Sequence, residues 1–151
     1  MQQQEIRSFK SYQEMKSTHE KELNQLNMGF AFSDKQFNEM MEEWGLDPEK
    51  DLDKIVRLNV SGGFLQKKDL PEYRAFWDRF DAENKLFKKQ QKNLVEMLVS
   101  ELANHEYCIT GDLELTLNAC GFDKKDYLEN ESLRKAVKKA KTEYLSHCNS
   151  Y

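Results

Sequence analysis

Four side chains that could do chemistry fall within twelve residues of one another: Glu101, His105, Cys108 and Asp112, in the segment ELANHEYCITGD. Glu101 and His105 are four apart, so on a helix they stand one turn from each other on the same side. His105 precedes Cys108 by three. An imidazole within hydrogen-bond reach lowers a thiol's pKa and makes it a nucleophile, with Glu101 or Glu106 as orienter. In enzymes of that kind the partners come from distant parts of the chain, so closeness in sequence is thin support. A structural zinc site needs four ligands, usually as two close pairs. His105 and Cys108 make one such pair, whereas Cys120 and Cys148 fall on apolar stripes, where a free thiol behaves as a small hydrophobe. A carboxylate site from Glu101, His105 and Asp112 lacks the paired Glu-x-x-His motif. No metal and no cofactor is expected. The simplest state for His105 is a neutral, buried imidazole, satisfied by Glu101, a backbone carbonyl or a hydroxyl. It would peg its helix to the loop at 107–111.

These residues depend on the elements around them. Residues 93–106 read as a helix after a bend near Gln90 and Gln91, with Leu94, Leu98, Leu102 and His105 on one face. Residues 107–110 read as extended. Thr110 or Asp112 then caps a short helix with Leu113, Leu117 and Cys120 on one side, ended by Gly121. Residues 123–128 form a turn or short helix. The last helix, 131–148, carries the stripe Leu133, Val137, Ala140, Tyr144 and Cys148.

Upstream, residues 1–26 contain no proline or glycine and read as a helix. Phe9, Tyr12, Lys16, His19, Leu23 and Leu26 give a short, partly polar stripe, with His19 solvated or at its edge. Residues 29–32 are an apolar linker or strand. Ser33 and Gln36 make a capping box for a helix striped by Phe37, Met40, Met41 and Trp44, ended at Gly45. Asp47-Pro48 starts a further helical turn. Val56, Leu58 and Val60 alternate with polar residues, and Ser61-Gly62-Gly63 reverses the chain, so a β-hairpin is expected over 54–67. The glycine pair lacks the lysine of a phosphate-binding loop. Asp69, Pro71 and Glu72 open the most aromatic helix, with Tyr73, Phe76, Trp77, Phe80 and Phe87.

The totals fit this picture. The chain has 151 residues, 33% of them charged and 38% hydrophobic, which suits one domain of helices with solvated faces. Seventeen aromatic residues argue for a packed core. Three cysteines follow no disulfide spacing, and no leader or membrane-length apolar run is present, so a cytoplasmic protein with reduced thiols is expected. The net charge is −4, unevenly spread. Residues 34–53 hold eight acidic and two basic residues, including Glu39, Glu42, Glu43, Asp47, Asp51 and Asp53. Basic residues gather from Lys85 to Lys92 and from Arg134 to Lys141.

FAFSDKQFNEMMEEWGLDP, the Gly62-Gly63-Phe64 turn, ELANHEYCITGD and LTLNACG resemble a family of small uncharacterised proteins from phages and mobile elements of gut bacteria. The resemblance spans about residues 28–133, outside the first and last helices. It implies no activity and no site residue; its context implies binding to a host or competing protein.

The expected architecture is therefore α+β and mostly α-helical: one domain, 1–151, with an N-terminal helix or arm (1–27), a compact body (28–148) and one small hairpin. The leading functional expectation is a non-enzymatic protein-binding module that meets a protein partner through the acidic surface, with no membrane association. The alternative is a small enzyme or metal protein centred on His105, Cys108 and Asp112. A third reading is nucleic-acid binding through the two basic segments, which requires them to share a face.

Overall fold

Long stretches free of helix breakers become helices. The computed structural model describes residues 5–59 and 61–148, among which there are eight α-helices and one three-stranded antiparallel sheet. The class is α+β, mostly α-helical. Among the described residues no helix is long and apolar enough to cross a membrane. The chain divides into two compact units, one formed by Met1–Lys16 with Ala82–Tyr151 and the other by Ser17–Asp81.

The first helix, α1 (Tyr12–Gln25), starts later than expected; residues 5–11 are not helical, and residues 1–4 lie outside the described part. The start has a local cause. Ser11 Oγ accepts from the N–H of Glu14, which satisfies a free donor of the first turn, and Glu14 accepts from the N–H of Lys10 just before the helix. Met15 and His19 are buried, Met15 taking the inward place expected of Lys16. The expectation of a solvated His19 is overturned. Its ring packs 4.7 Å from that of Phe80 and edge-on to Phe76.

In the Ser17–Asp81 unit, β1 (Met28–Phe30), β2 (Ile55–Arg57) and β3 (Gly63–Gln66) pair in the order β1-β3-β2. Leu65 lies opposite both Met28 and Val56 and is fully buried. The hairpin is present, but β2 ends at Arg57 and its loop is wider than the reversal expected. Val60 lies outside the described residues. Gly62 has φ +73°, and a Cβ there would meet the Phe32 ring at 2.6 Å. Its carbonyl accepts from the N–H of Ala31. Helix α2 (Asp34–Glu43) buries Met40 and Met41 with Phe37, Trp44, Ile55 and Phe64 around them. Ser33 caps it through the N–H of Gln36, but the Gln36 side chain accepts from Phe32, one residue earlier than a capping box requires. Helix α3 (Leu70–Lys88) supplies the aromatic cluster of Phe76, Trp77 and Phe80.

In the other unit, α4 (Gln91–Asn104) packs its Leu94, Leu98 and Leu102 stripe against Leu133, Val137 and Ala140 of α8 (Glu131–Cys148). Tyr12, Met15 and Phe87 join this core. The three short helices between α4 and α8 are α5 (Tyr107–Thr110), α6 (Leu113–Ala119) and α7 (Lys124–Glu129). The expectation of extended backbone at 107–110 is corrected. Glu106 at φ 49° and Gly111 at φ 65° turn the chain at either end, and the four residues between make a single helical turn. The carbonyl of Glu106 accepts from both Ile109 and Thr110.

Candidate functional site

The segment from Glu101 to Asp112 does not gather its four reactive groups at one point. Glu101 lies beside the leucine stripe of α4 and is 4% exposed. Its carboxylate accepts from the Tyr12 hydroxyl, and Lys16 Nζ stands 3.3 Å away. Its backbone carbonyl accepts from Thr116 Oγ1 at 3.4 Å. Burial pushes the Glu101 carboxyl up, but the donors from Tyr12, Lys16 and Asn104 outweigh it and hold the group below its ordinary value. The same burial, and the bond to Glu101, push the Tyr12 hydroxyl well above its usual range. A carboxylate so held is a poor proton acceptor at neutral pH. It fastens the start of α1 to α4.

His105 is not the buried peg expected. It caps the C-terminus of α4, its side chain is 31% exposed, and Nε2 stands 3.5 Å from Glu101 Oε2. The enclosed polar group on this face is Glu101. A hydrophobicity pattern around a glutamate gives no sign of that. The Tyr-x-x-x-Lys spacing of Tyr12 and Lys16, which places two donors on one helical side, is the readable half of the cluster. Glu83 is a second buried carboxylate the sequence hides. It is 0% exposed and accepts from Arg7 Nε, Nη2 and backbone N–H at 2.8–2.9 Å.

Cys108 lies on α5, beyond the end of α4. Its backbone N–H donates to the Tyr144 hydroxyl at 3.2 Å, and its thiol stands near Tyr144 and Cys148. These two neighbours, Tyr144 foremost, hold the Cys108 thiol below its ordinary pKa. Cys120 is different: burial pushes its thiol up to about 12. Asp112 caps α6, accepting from the N–H of Glu114 at 2.9 Å. Among the described residues no group of three or more histidine, cysteine or acidic side chains is placed to hold a metal ion.

The acidic residues divide by what they do. Asp47 accepts from the N–H groups of Glu49 and Lys50, and Asp51 accepts from the N–H of Asp47 and pairs with Lys54 at 3.0 Å. The backbone bond from Asp47 leads in holding the Asp51 carboxyl low. Those two shape a turn. Glu39, Glu42, Glu43 and Asp53 are exposed, the first three on α2. In the same unit Phe32 is 71% and Phe30 52% exposed. Phe32, Phe37, Phe64 and Arg57 line a hollow of about 360 Å³, with the Arg57 guanidinium 5.8 Å from the Phe64 ring centre.

Several cations of the basic segments have internal roles. Lys88 Nζ donates to the Cys120 carbonyl at 2.9 Å and lies over the Phe122 ring. Arg134 donates to the carbonyls of Tyr127 and Leu128, closing the end of α7. Lys141 lies over the Tyr107 ring, and Lys135 pairs with Glu131.

No curated protein and no solved structure matches the chain. A family model does match, over residues 11–143, reaching α1 and most of α8, which the resemblance read from the sequence left out. The chain belongs to the family of unknown function DUF7659.

Proposed function

We propose that this protein is a non-enzymatic, cytoplasmic protein-binding module, encoded by a mobile element and acting on a host protein. The mobile-element setting rests on the sequence resemblance alone. The binding reading is supported chiefly by one observation: exposed Phe30 and Phe32 share a unit with the exposed carboxylates Glu39, Glu42 and Glu43. Large rings in water are costly unless a partner covers them, and aromatic anchors ringed by charge are the usual anatomy of a binding surface. The partner should carry basic residues around an apolar patch.

The test is affinity capture of the full chain from bacterial lysate, at low and moderate salt, beside two variants, Phe32→Ala and the triple reversal of Glu39, Glu42 and Glu43 to lysine. A stoichiometric partner retained by the natural sequence and lost by both variants is the expected result. Absence of any such partner at either salt concentration, or one held equally by all three proteins, defeats the proposal.

A further inference from the structure

Cys108 and Cys148 are forty residues apart in sequence and meet at one tyrosine. Cys148 follows Tyr144 by one turn of α8, so both side chains stand on the same helical face. Tyr144 accepts from the backbone N–H of Cys108 at 3.2 Å, which fixes the single turn of α5 against that face. The phenol and the Cys148 sulfur both hold the Cys108 thiol below its ordinary pKa, so the three groups lie close together. Cys108 is exposed and Cys148 partly so, whereas Cys120 is buried. We propose that Cys108 and Cys148 form a peroxide-oxidisable dithiol, a modification site whose disulfide staples α5 to the C-terminal end of α8.

The chemistry balances with hydrogen peroxide as the oxidant. The Cys108 thiolate attacks one peroxide oxygen, the O–O bond breaks, and the departing hydroxide leaves as water with a proton, giving a sulfenic acid. The Cys148 sulfur then attacks that sulfur, the S–O bond breaks, and a second water leaves with the Cys148 proton. Two electrons pass from the sulfur pair to the peroxide. A small dithiol reductant reverses the result by exchange. Tyr144 has a positioning role: its hydroxyl donates to the Cys108 sulfur and favours the thiolate, against the nearby charge of Glu106. Cys120 is a built-in control, because burial keeps its thiol protonated.

The experiment treats the reduced full chain with hydrogen peroxide, blocks remaining thiols with N-ethylmaleimide, and maps the peptides by mass. The expected product is lighter by two hydrogens before blocking, keeps Cys120 as a free thiol that maleimide reaches only once the chain is unfolded, and joins the Cys108 peptide to the Cys148 peptide. Cys120→Ser should form the same link and Cys148→Ser should not, leaving Cys108 to oxidise further. Tyr144→Phe should slow maleimide capture of Cys108 at neutral pH several-fold. The proposal is overturned by a wild-type product in which Cys108 is over-oxidised beside a free Cys148, by a link through Cys120, or by a disulfide between two chains. An unchanged capture rate in Tyr144→Phe removes the tyrosine's role.

Discussion

Glu101 shows what a single polar residue can demand of its surroundings. Burying a carboxylate is unfavourable unless donors meet it, and here α1 brings two, Tyr12 and Lys16. Replacing Tyr12 with phenylalanine keeps the ring in the core and leaves the carboxylate one donor short. The expected loss is about 1–3 kcal/mol, read from urea unfolding at neutral pH. The pH dependence has a definite sign. The folded carboxyl sits below its ordinary value of 4.5, so the unfolded chain takes up the proton first as pH falls. The stabilisation is therefore complete above that value and disappears as pH falls through the folded one. Glu101→Gln should flatten the acid limb of the stability profile relative to the natural sequence. Parallel acid limbs in the two proteins would refute the assignment. Residue chemistry of this kind was only half legible. The sequence places Glu101 beside a leucine stripe, but the two donors from α1 lie 89 and 85 positions away, and no local pattern announces a long-range hydrogen bond.

Elements were far more legible than partners, because their signals are local. The stripe of α8, the break between α3 and α4, the Asp112 cap and the glycine-ended α6 all follow from spacing and capping chemistry. The failures share a cause. At 107–110 four residues seem too few for a helix, yet left-handed backbone at Glu106 and Gly111 lets one turn stand alone. At the N-terminus, the absence of breakers at 5–11 does not make a helix, because the Ser-x-x-Glu signal at Ser11 and Glu14 sets the start. Glu106 is the one non-glycine residue with positive φ among those described, and its side chain is exposed. A β-carbon in that region costs roughly 1 kcal/mol, and asparagine tolerates it better than glutamate. Glu106→Asn should therefore raise stability by a few tenths to about 1 kcal/mol, seen as a higher denaturant midpoint with unchanged slope. A lower midpoint would mean that the glutamate side chain has a role its exposed position does not suggest.

Across the whole molecule, the net charge of −4 is an average of two unlike parts. Ser17–Asp81 holds fourteen acidic and nine basic residues, a net of −5, whereas the rest of the chain holds thirteen and fourteen, a net of +1. The exposed phenylalanines are in the acidic unit, so long-range attraction and short-range anchoring are available on the same part of the chain. These two contributions separate kinetically. Charge steers the approach of a partner and is screened beyond about 8 Å at physiological ionic strength, while buried apolar contact sets how long the complex lasts. Reversing Glu39, Glu42 and Glu43 to lysine turns the unit's −5 into +1. For a basic partner, the association rate should then fall by about tenfold or more at low salt, with the gap closing as salt rises. Phe32→Ala should instead speed dissociation and leave association nearly unchanged. Surface plasmon resonance over a salt series, on the partner recovered by affinity capture, separates the two. Should the charge reversal act mainly on dissociation, or the phenylalanine mainly on association, the acidic face and the exposed ring do not divide the task in this way, and the partner contacts the unit elsewhere.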